Sequence, residues 1–95
     1  MSYRVKFREE ALKEWNKLDK TIQSQFAKKL KKCTDDPHIP SAKLKGMKDC
    51  YKIKLRTAGF RLVYQVIENE LIIAVVAVGK RERSEVYLLA SERMR

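Results

Sequence analysis

Tyr3, Val5 and Phe7 alternate with Ser2, Arg4 and Lys6, a period of two that predicts a strand with one buried face. From about Arg8 the spacing changes. Ala11, Leu12, Trp15 and Leu18 fall on one stripe of a helix while Lys13, Glu14 and Lys17 point away. Asp19 divides this helix from a second one and is placed to cap it. In the second helix Ile22, Phe26, Leu30 and Cys33 form the buried stripe, and Lys28, Lys29, Lys31 and Lys32 crowd the outer faces. Trp15 and Phe26 are expected in the core. Asp35-Asp36-Pro37 ends the helix, and residues 37–49, with two prolines and Gly46, read as a loop.

Beyond that loop Tyr51, Ile53 and Leu55 alternate with Lys52, Lys54 and Arg56, Thr57-Ala58-Gly59 marks a turn, and Phe60 to Ile67 forms the next strand. The apolar run from Leu71 to Val78 predicts a strand covered on both faces at the sheet centre. Gly79 closes it and Lys80-Arg81-Glu82-Arg83 is a charged connector. Ser84 is placed to cap a last helix whose apolar stripe, Val86, Leu89 and Ala90, is short enough to suggest weak anchoring. The order β-α-α-β-β-β-α predicts an α+β sandwich formed by a single domain, residues 1–95. Two N-terminal helices pack on one face of a four-stranded, mostly antiparallel sheet, and a short C-terminal helix follows.

Composition narrows the function. The 95 residues leave no room for a second core. Lys and Arg number 22 against 12 Asp and Glu, a net charge of +10, which argues against an acidic ligand-capture protein and for a polyanionic partner. A 44% apolar content excludes a basic disordered tail. No apolar run reaches the ~18 residues of a membrane span. Cys33 and Cys50 have no CxxC spacing and no signal-peptide pattern precedes them, so both are expected to be reduced and the chain cytoplasmic, with no disulfide framework and no zinc site. His38, between Pro37 and Pro40, reads as a loop residue rather than a metal ligand or catalytic base. No cofactor is expected.

The positive charge is local. Residues 37–67 carry seven basic groups and one acidic, whereas residues 68–95 carry five of each. If Ile53 and Leu55 share the core face with Leu62 and Tyr64, opposed residues have numbers with an odd sum. A sum of 117 sets Lys54 opposite Val63, Lys52 opposite Gln65 and Arg56 opposite Arg61, so that Lys52, Lys54, Arg56 and Arg61 share one patch. Opposed like charges destabilise a sheet by up to roughly 1 kcal/mol a pair, and an anion would relieve them. With Arg81 and Tyr87 nearby in sequence, the patch reads as a phosphate-binding site. The lysine-rich face of the second helix has two readings, a solvated face or sequence-independent contact with an RNA backbone.

Lys43-Leu44-Lys45-Gly46-Met47, the strand Cys50 to Arg56, the stretch Phe60 to Val66 and the block Val78-Gly79-Lys80-Arg81-Glu82-Arg83-Ser84-Glu85-Val86-Tyr87 together resemble the RelE toxins of type II toxin–antitoxin modules. The last block is the most specific. The resemblance implies a ribosome-dependent endoribonuclease that enters the A site, cuts messenger RNA within the codon and inhibits translation. It also implies silencing by a RelB-like antitoxin, through which the complex would meet operator DNA. Its catalytic positions are occupied here by Lys52, Lys54, Arg61, Arg81 and Tyr87. Lys45, Arg56, Arg83, Lys28, Lys29, Lys31 and Lys32 make up the expected RNA-binding set. Lys45 is a departure, since close relatives carry arginine there and a lysine loses planar bidentate phosphate binding. Two other classes fit the composition: a toxin similar to the ParE branch that shares the fold and poisons gyrase without cutting RNA, and a basic RNA-binding module.

The residues themselves suit cleavage by attack of the ribose 2′-hydroxyl on the adjacent phosphate, with the 5′-oxygen leaving and no metal ion required. Neighbouring cations disfavour a lysine's charged form, which qualifies Lys52, beside Lys54, as the base. Lys54 and Arg61 would hold the non-bridging oxygens. The resemblance makes Arg81 the proton donor to the leaving oxygen, although an arginine suits stabilising that oxygen better than protonating it. Tyr87 offers a ring for base stacking and a hydroxyl to orient the 2′-oxygen, or else packs its helix.

Overall fold

A computed structural model describes residues 2–80 and 85–94. Its elements are β1 (Arg4–Phe7), α1 (Glu9–Asn16), α2 (Lys20–Cys33), β2 (Cys50–Leu55), β3 (Phe60–Ile67), β4 (Ile72–Lys80) and α3 (Glu85–Arg93). Asp19 caps α2 as its sequence position predicts, its Oδ1 accepting from the Ile22 N–H at 2.9 Å. Ser84, the expected cap of α3, lies outside the described residues. In β1 the outward residues Arg4 and Lys6 are exposed while Val5 and Phe7 are half-buried, which is the expected alternation.

The sheet order is β1-β4-β3-β2, with β1 parallel to β4 and the other pairs antiparallel. Flanked on both sides, β4 is buried from Ile72 to Val78, which explains its unbroken apolar run. One sheet face carries α1 and α2: Ala11, Phe26 and Leu30 join Ile53, Leu62, Tyr64 and Val75 in a single cluster. The opposite face carries α3, with Val86 and Ala90 against Cys50, Val63, Val76 and Ala77. Phe26 and Tyr64 are fully buried; truncating such an aromatic costs ~3–5 kcal/mol, a large part of a small domain's stability. Trp15 sits at the rim of this core, its ring 5.0 Å from that of Phe7 and 6.2 Å from that of Phe26.

Three expectations need correction. Leu12 does not join the buried stripe of α1 but is 43% exposed, because it lies ~100° around the helix from the buried Ala11. The β2–β3 register has a sum of 115, not 117: Lys54 faces Arg61, Lys52 faces Val63, and Arg56 is exposed in the loop beyond the strand. The loop is the cause. Residues 56–59 form it, closed by the Gly59 N–H donating to the Leu55 carbonyl at 2.8 Å with Gly59 at φ +75°, a conformation that favours glycine. A slip of two residues leaves every side chain on its expected face, so the cationic side survives the error.

The third correction concerns α3. Its apolar stripe is indeed short, with Val86 and Ala90 buried and Leu89 37% exposed, yet the helix is pinned at its far end. The Arg93 guanidinium donates to both carboxylate oxygens of Glu14, at 2.8 and 3.0 Å, and to the Val76 carbonyl at 2.8 Å. Such a bidentate, charge-assisted pair is among the stronger polar contacts a protein makes. Glu14 is on α1 and Val76 is the extra residue of a bulge in β4, where Val63 pairs with Ala77 and Tyr64 with Val75.

Candidate functional site

Lys52 and Lys54 alternate with the core residues Tyr51, Ile53 and Leu55, so both project from the sheet face opposite α1 and α2. Directly opposed residues of an antiparallel pair share a face. Lys52 therefore lies beside Val63, and Lys54 beside Arg61. Val63 belongs to the cluster beneath α3, against which the Tyr87 ring also packs. Four of the five expected catalytic residues, Lys52, Lys54, Arg61 and Tyr87, thus occupy one side of the sheet. Arg81 and Arg83 fall outside the described residues.

Arg61 is only 8% exposed. Its Nη1 donates to the Phe60 carbonyl at 3.2 Å, and among the described residues no carboxylate lies within ion-pair distance of it. A guanidinium offers five N–H donors, and a buried cation without a partner is costly. That arrangement suits a site filled by an anion. The Tyr87 hydroxyl is likewise shielded and has no hydrogen-bond partner among the described residues, an arrangement that costs ~1–3 kcal/mol unless something supplies one.

The expected RNA-binding lysines divide. Lys29 and Lys32 of α2 join Lys52, Lys54 and Arg56 in lining a cleft of about 520 Å³ along the outer edge of β2. Lys29 Nζ reaches the Lys54 carbonyl at 3.4 Å. Among the described residues no acidic side chain lines this cleft. Lys31 instead borders an apolar groove with Val5, Phe7 and Trp15 on the side of β1, and Lys28 is exposed on α2 without lining either. Lys45 sits in a separate cleft of the loop before β2, with Lys43 and Lys48. Among the described residues no group of three or more His, Cys, Asp and Glu side chains could hold a metal ion.

A polar network that sequence reasoning missed lies around His38. This residue is in a loop, as expected, but its Nε2 is 2.7 Å from Glu68 Oε2 and its Nδ1 is 3.0 Å from the Tyr51 hydroxyl. Tyr3 donates to the other Glu68 oxygen at 2.6 Å. That hydrogen bond, followed by the one from His38, holds the Glu68 carboxyl below its ordinary range. Tyr51 projects to the face opposite Lys52 and stacks on Tyr64, whose hydroxyl donates to the Pro37 carbonyl at 2.8 Å. The network ties the loop after α2 to the sheet and lies away from the cations. No local signal marks it, since its members are 13 to 65 residues apart.

A helical pair and a single helix on opposite faces of a four-stranded sheet, with cations on the single helix's side of that sheet, define a class. The chain belongs to the RelE/ParE family of toxins of type II toxin–antitoxin systems: the family model for the ParE toxin of the parDE system matches residues 5–85. The chain is 82% identical to a RelE-like toxin protein of Escherichia coli over the full length of both. It is 54% identical to the mRNA interferase toxin RelE of E. coli strain K12, covering 99% of each. Its fold matches that of a free mutant of E. coli RelE with a TM-score of 0.92 at 52% identity, covering all of both chains. It also matches the toxin of the intact E. coli RelBE toxin–antitoxin complex with a TM-score of 0.83 at 52% identity, over 86% of this chain and all of that one.

Proposed function

We propose that this toxin is a ribosome-dependent endoribonuclease that cuts messenger RNA in the A site and so inhibits translation. The observation that carries the reading is the pairing of Lys54 with Arg61, with Lys52 on the same face and Arg61 buried without a carboxylate among the described residues. An RNA phosphate in that position meets several donors at once. Lys54 and Arg61 hold its non-bridging oxygens and the charge that develops on them. Lys52 takes the proton from the 2′-hydroxyl as that oxygen attacks phosphorus, and the 5′-oxygen departs with Arg81 stabilising its charge. Tyr87 supplies a stacking surface for the splayed base. This chemistry is metal-independent, because the charge neutralisation comes from the side chains. Lys29, Lys32 and Arg56 extend the grip along the backbone, with Lys45, Lys28, Lys31 and Arg83 as outlying contacts to mRNA or ribosomal RNA.

The mRNA interferase activity carried in the relative's name supports this reading over gyrase inhibition, although the matching family model is that of ParE toxins. Complexes of RelE with RelB support a RelB-like antitoxin as the partner of this chain too, with operator DNA reached through it. Action on ribosome-bound messages would support a cytoplasmic location for the toxin.

Primer extension on translated messages from cells expressing the protein tests the proposal. Codon-internal cuts are expected, and in a purified system they should persist in EDTA at magnesium levels that keep ribosomes intact. Uncut messages with damaged or inhibited gyrase would favour a ParE-like action; messages bound but uncut would favour a binding module. Arg61→Ala and Arg81→Ala should reduce cleavage rate far more than ribosome affinity. Equal losses in both would remove these residues from the reaction.

A further inference from the structure

The contacts at the C-terminal end of α3 form a device whose effect reaches the site. β1 ends at Phe7, opposite Val75, and the Arg8 N–H takes the Val75 carbonyl at 3.0 Å as the last backbone link between the two strands. Beyond it β4 continues without a strand on that side, leaving the Val76 carbonyl and the Val78 N–H to be satisfied in another way. Side chains do so: Arg93 donates to Val76 O at 2.8 Å, and Glu14 accepts from Val78 N at 3.1 Å while gripping the same guanidinium. Arg8 completes the assembly, donating to the Arg93 carbonyl at 2.9 Å. The Arg93 and Glu14 side chains are only 13% and 23% exposed, so water competes little for these bonds.

Helix α3 depends on this support. Nine residues fall below the ~12–15 at which an isolated helix becomes even marginal in water. Its buried apolar side chains are Val86 and Ala90, and Leu88 is 62% exposed. Tyr87 lies on the first turn, about 9 Å along the axis from Arg93 at ~1.5 Å per residue. A helix this short moves as one body, so an end set free at Arg93 shifts Tyr87 relative to Lys52 and Arg61 on the same sheet face.

We propose that Glu14 and Arg93 are positioning residues for the reaction, a clamp between α1, the β4 bulge and α3 that holds Tyr87 in register with the cations of the sheet. The inference rests on the nuclease reading above. Neither residue touches the RNA; both act through Tyr87.

The test is a double-mutant cycle on single-turnover cleavage of ribosome-bound message, with Arg93→Ala, Tyr87→Ala and the pair together. Arg93→Ala should slow cleavage by on the order of tenfold to a hundredfold, the scale of a displacement of about 1 Å at a catalytic group, with ribosome affinity nearly unchanged. In the Tyr87→Ala background the same change should have almost no further effect. Arg93→Lys, which keeps the charge but not the fork, should recover part of the rate. Hydrogen exchange at residues 86–92 should rise in Arg93→Ala, and Glu14→Gln, which retains one acceptor for Val78, provides a milder variant if Arg93→Ala does not fold. Equal rate losses in both backgrounds would overturn the clamp while leaving the nuclease reading intact. An unmodified protein that cuts no message on the ribosome would overturn the nuclease reading, and the clamp with it.

Discussion

Arg61→Met should make the free protein more stable and the toxin inactive. Arg61 is 8% exposed, sits directly across from Lys54, and donates one hydrogen bond to the Phe60 carbonyl. Removing the guanidinium relieves a directly opposed like-charge pair, worth up to ~1 kcal/mol. It also removes a cation only 8% exposed that no carboxylate among the described residues balances, relieving a desolvation cost of a further ~1–2 kcal/mol, against the loss of one hydrogen bond of ~1 kcal/mol. Methionine keeps much of the volume and adapts to the space beneath α3. The balance is a gain of about 1 kcal/mol, which for a domain of this size raises Tm by ~4–8 °C. Urea and thermal unfolding of both proteins at low and at ~1 M salt measure it, and the advantage should shrink at high salt, where exposed charges are screened within ~3 Å. Cleavage of ribosome-bound message should be lost in the same variant. A Tm lowered by a comparable amount would show that Arg61 is a structural cation, and unchanged cleavage would show that it does not meet the phosphate.

The Glu68 carboxyl is held below its ordinary value of 4.5 by Tyr3 and His38. Its contribution to stability is therefore complete above that pH and is lost as pH falls through the lowered value; Glu68→Gln should flatten this part of the curve of urea midpoint against pH. Burial pushes the Cys50 thiol up to about 11 and also raises that of Cys33, so a thiol reagent at pH 8 should label neither cysteine in the folded chain and both in urea. Gly59→Ala has free space around its Cβ but an unfavourable φ of +75°, and should lower stability by ~1 kcal/mol in urea unfolding, with Gly59→Asn losing less.

How much could be read from the chain depends on the range of the physics involved. Alternation in residues 50–67 identifies which side chains share a face, because the strand period is local, and it brings Lys52, Lys54 and Arg61 to one side before any coordinates exist. It does not count loop residues: assigning Arg56 to the strand moves the pairing by two, and only the Gly59 turn resolves it. Asp19 is legible because a cap acts within three residues. Glu14 and Arg93 are not, since 79 residues separate them and each reads alone as a solvated charge on a helix. The Tyr3–Glu68–His38 network is hidden for the same reason. The lysines of α2 resemble one another in sequence, and only the curvature of the fold sends Lys29 and Lys32 toward β2 and Lys31 toward β1.

The placement of the cations follows from sheet order. A strand at the centre is covered on both faces and cannot hold charges there, so β4 is apolar from Ile72 to Val78, whereas the edge strand β2 can carry Lys52 and Lys54 on its outward face without desolvating them fully. Arg61 is the intermediate case. It lies on β3, next to the centre, and its neighbour on β4 is Gly79. A Cβ at Gly79 would meet Val86 Cγ2 at 3.1 Å, so the missing side chain is what lets the first turn of α3 settle close to the sheet beside Arg61. The turn that carries Val86 also carries Tyr87. One glycine therefore lets the turn that bears Tyr87 pack close to the strand position paired with Arg61, and the Glu14–Arg93 contact secures the other end of the same helix, so that this sheet face is organised by two supports, neither of which contributes a charge to the cationic patch.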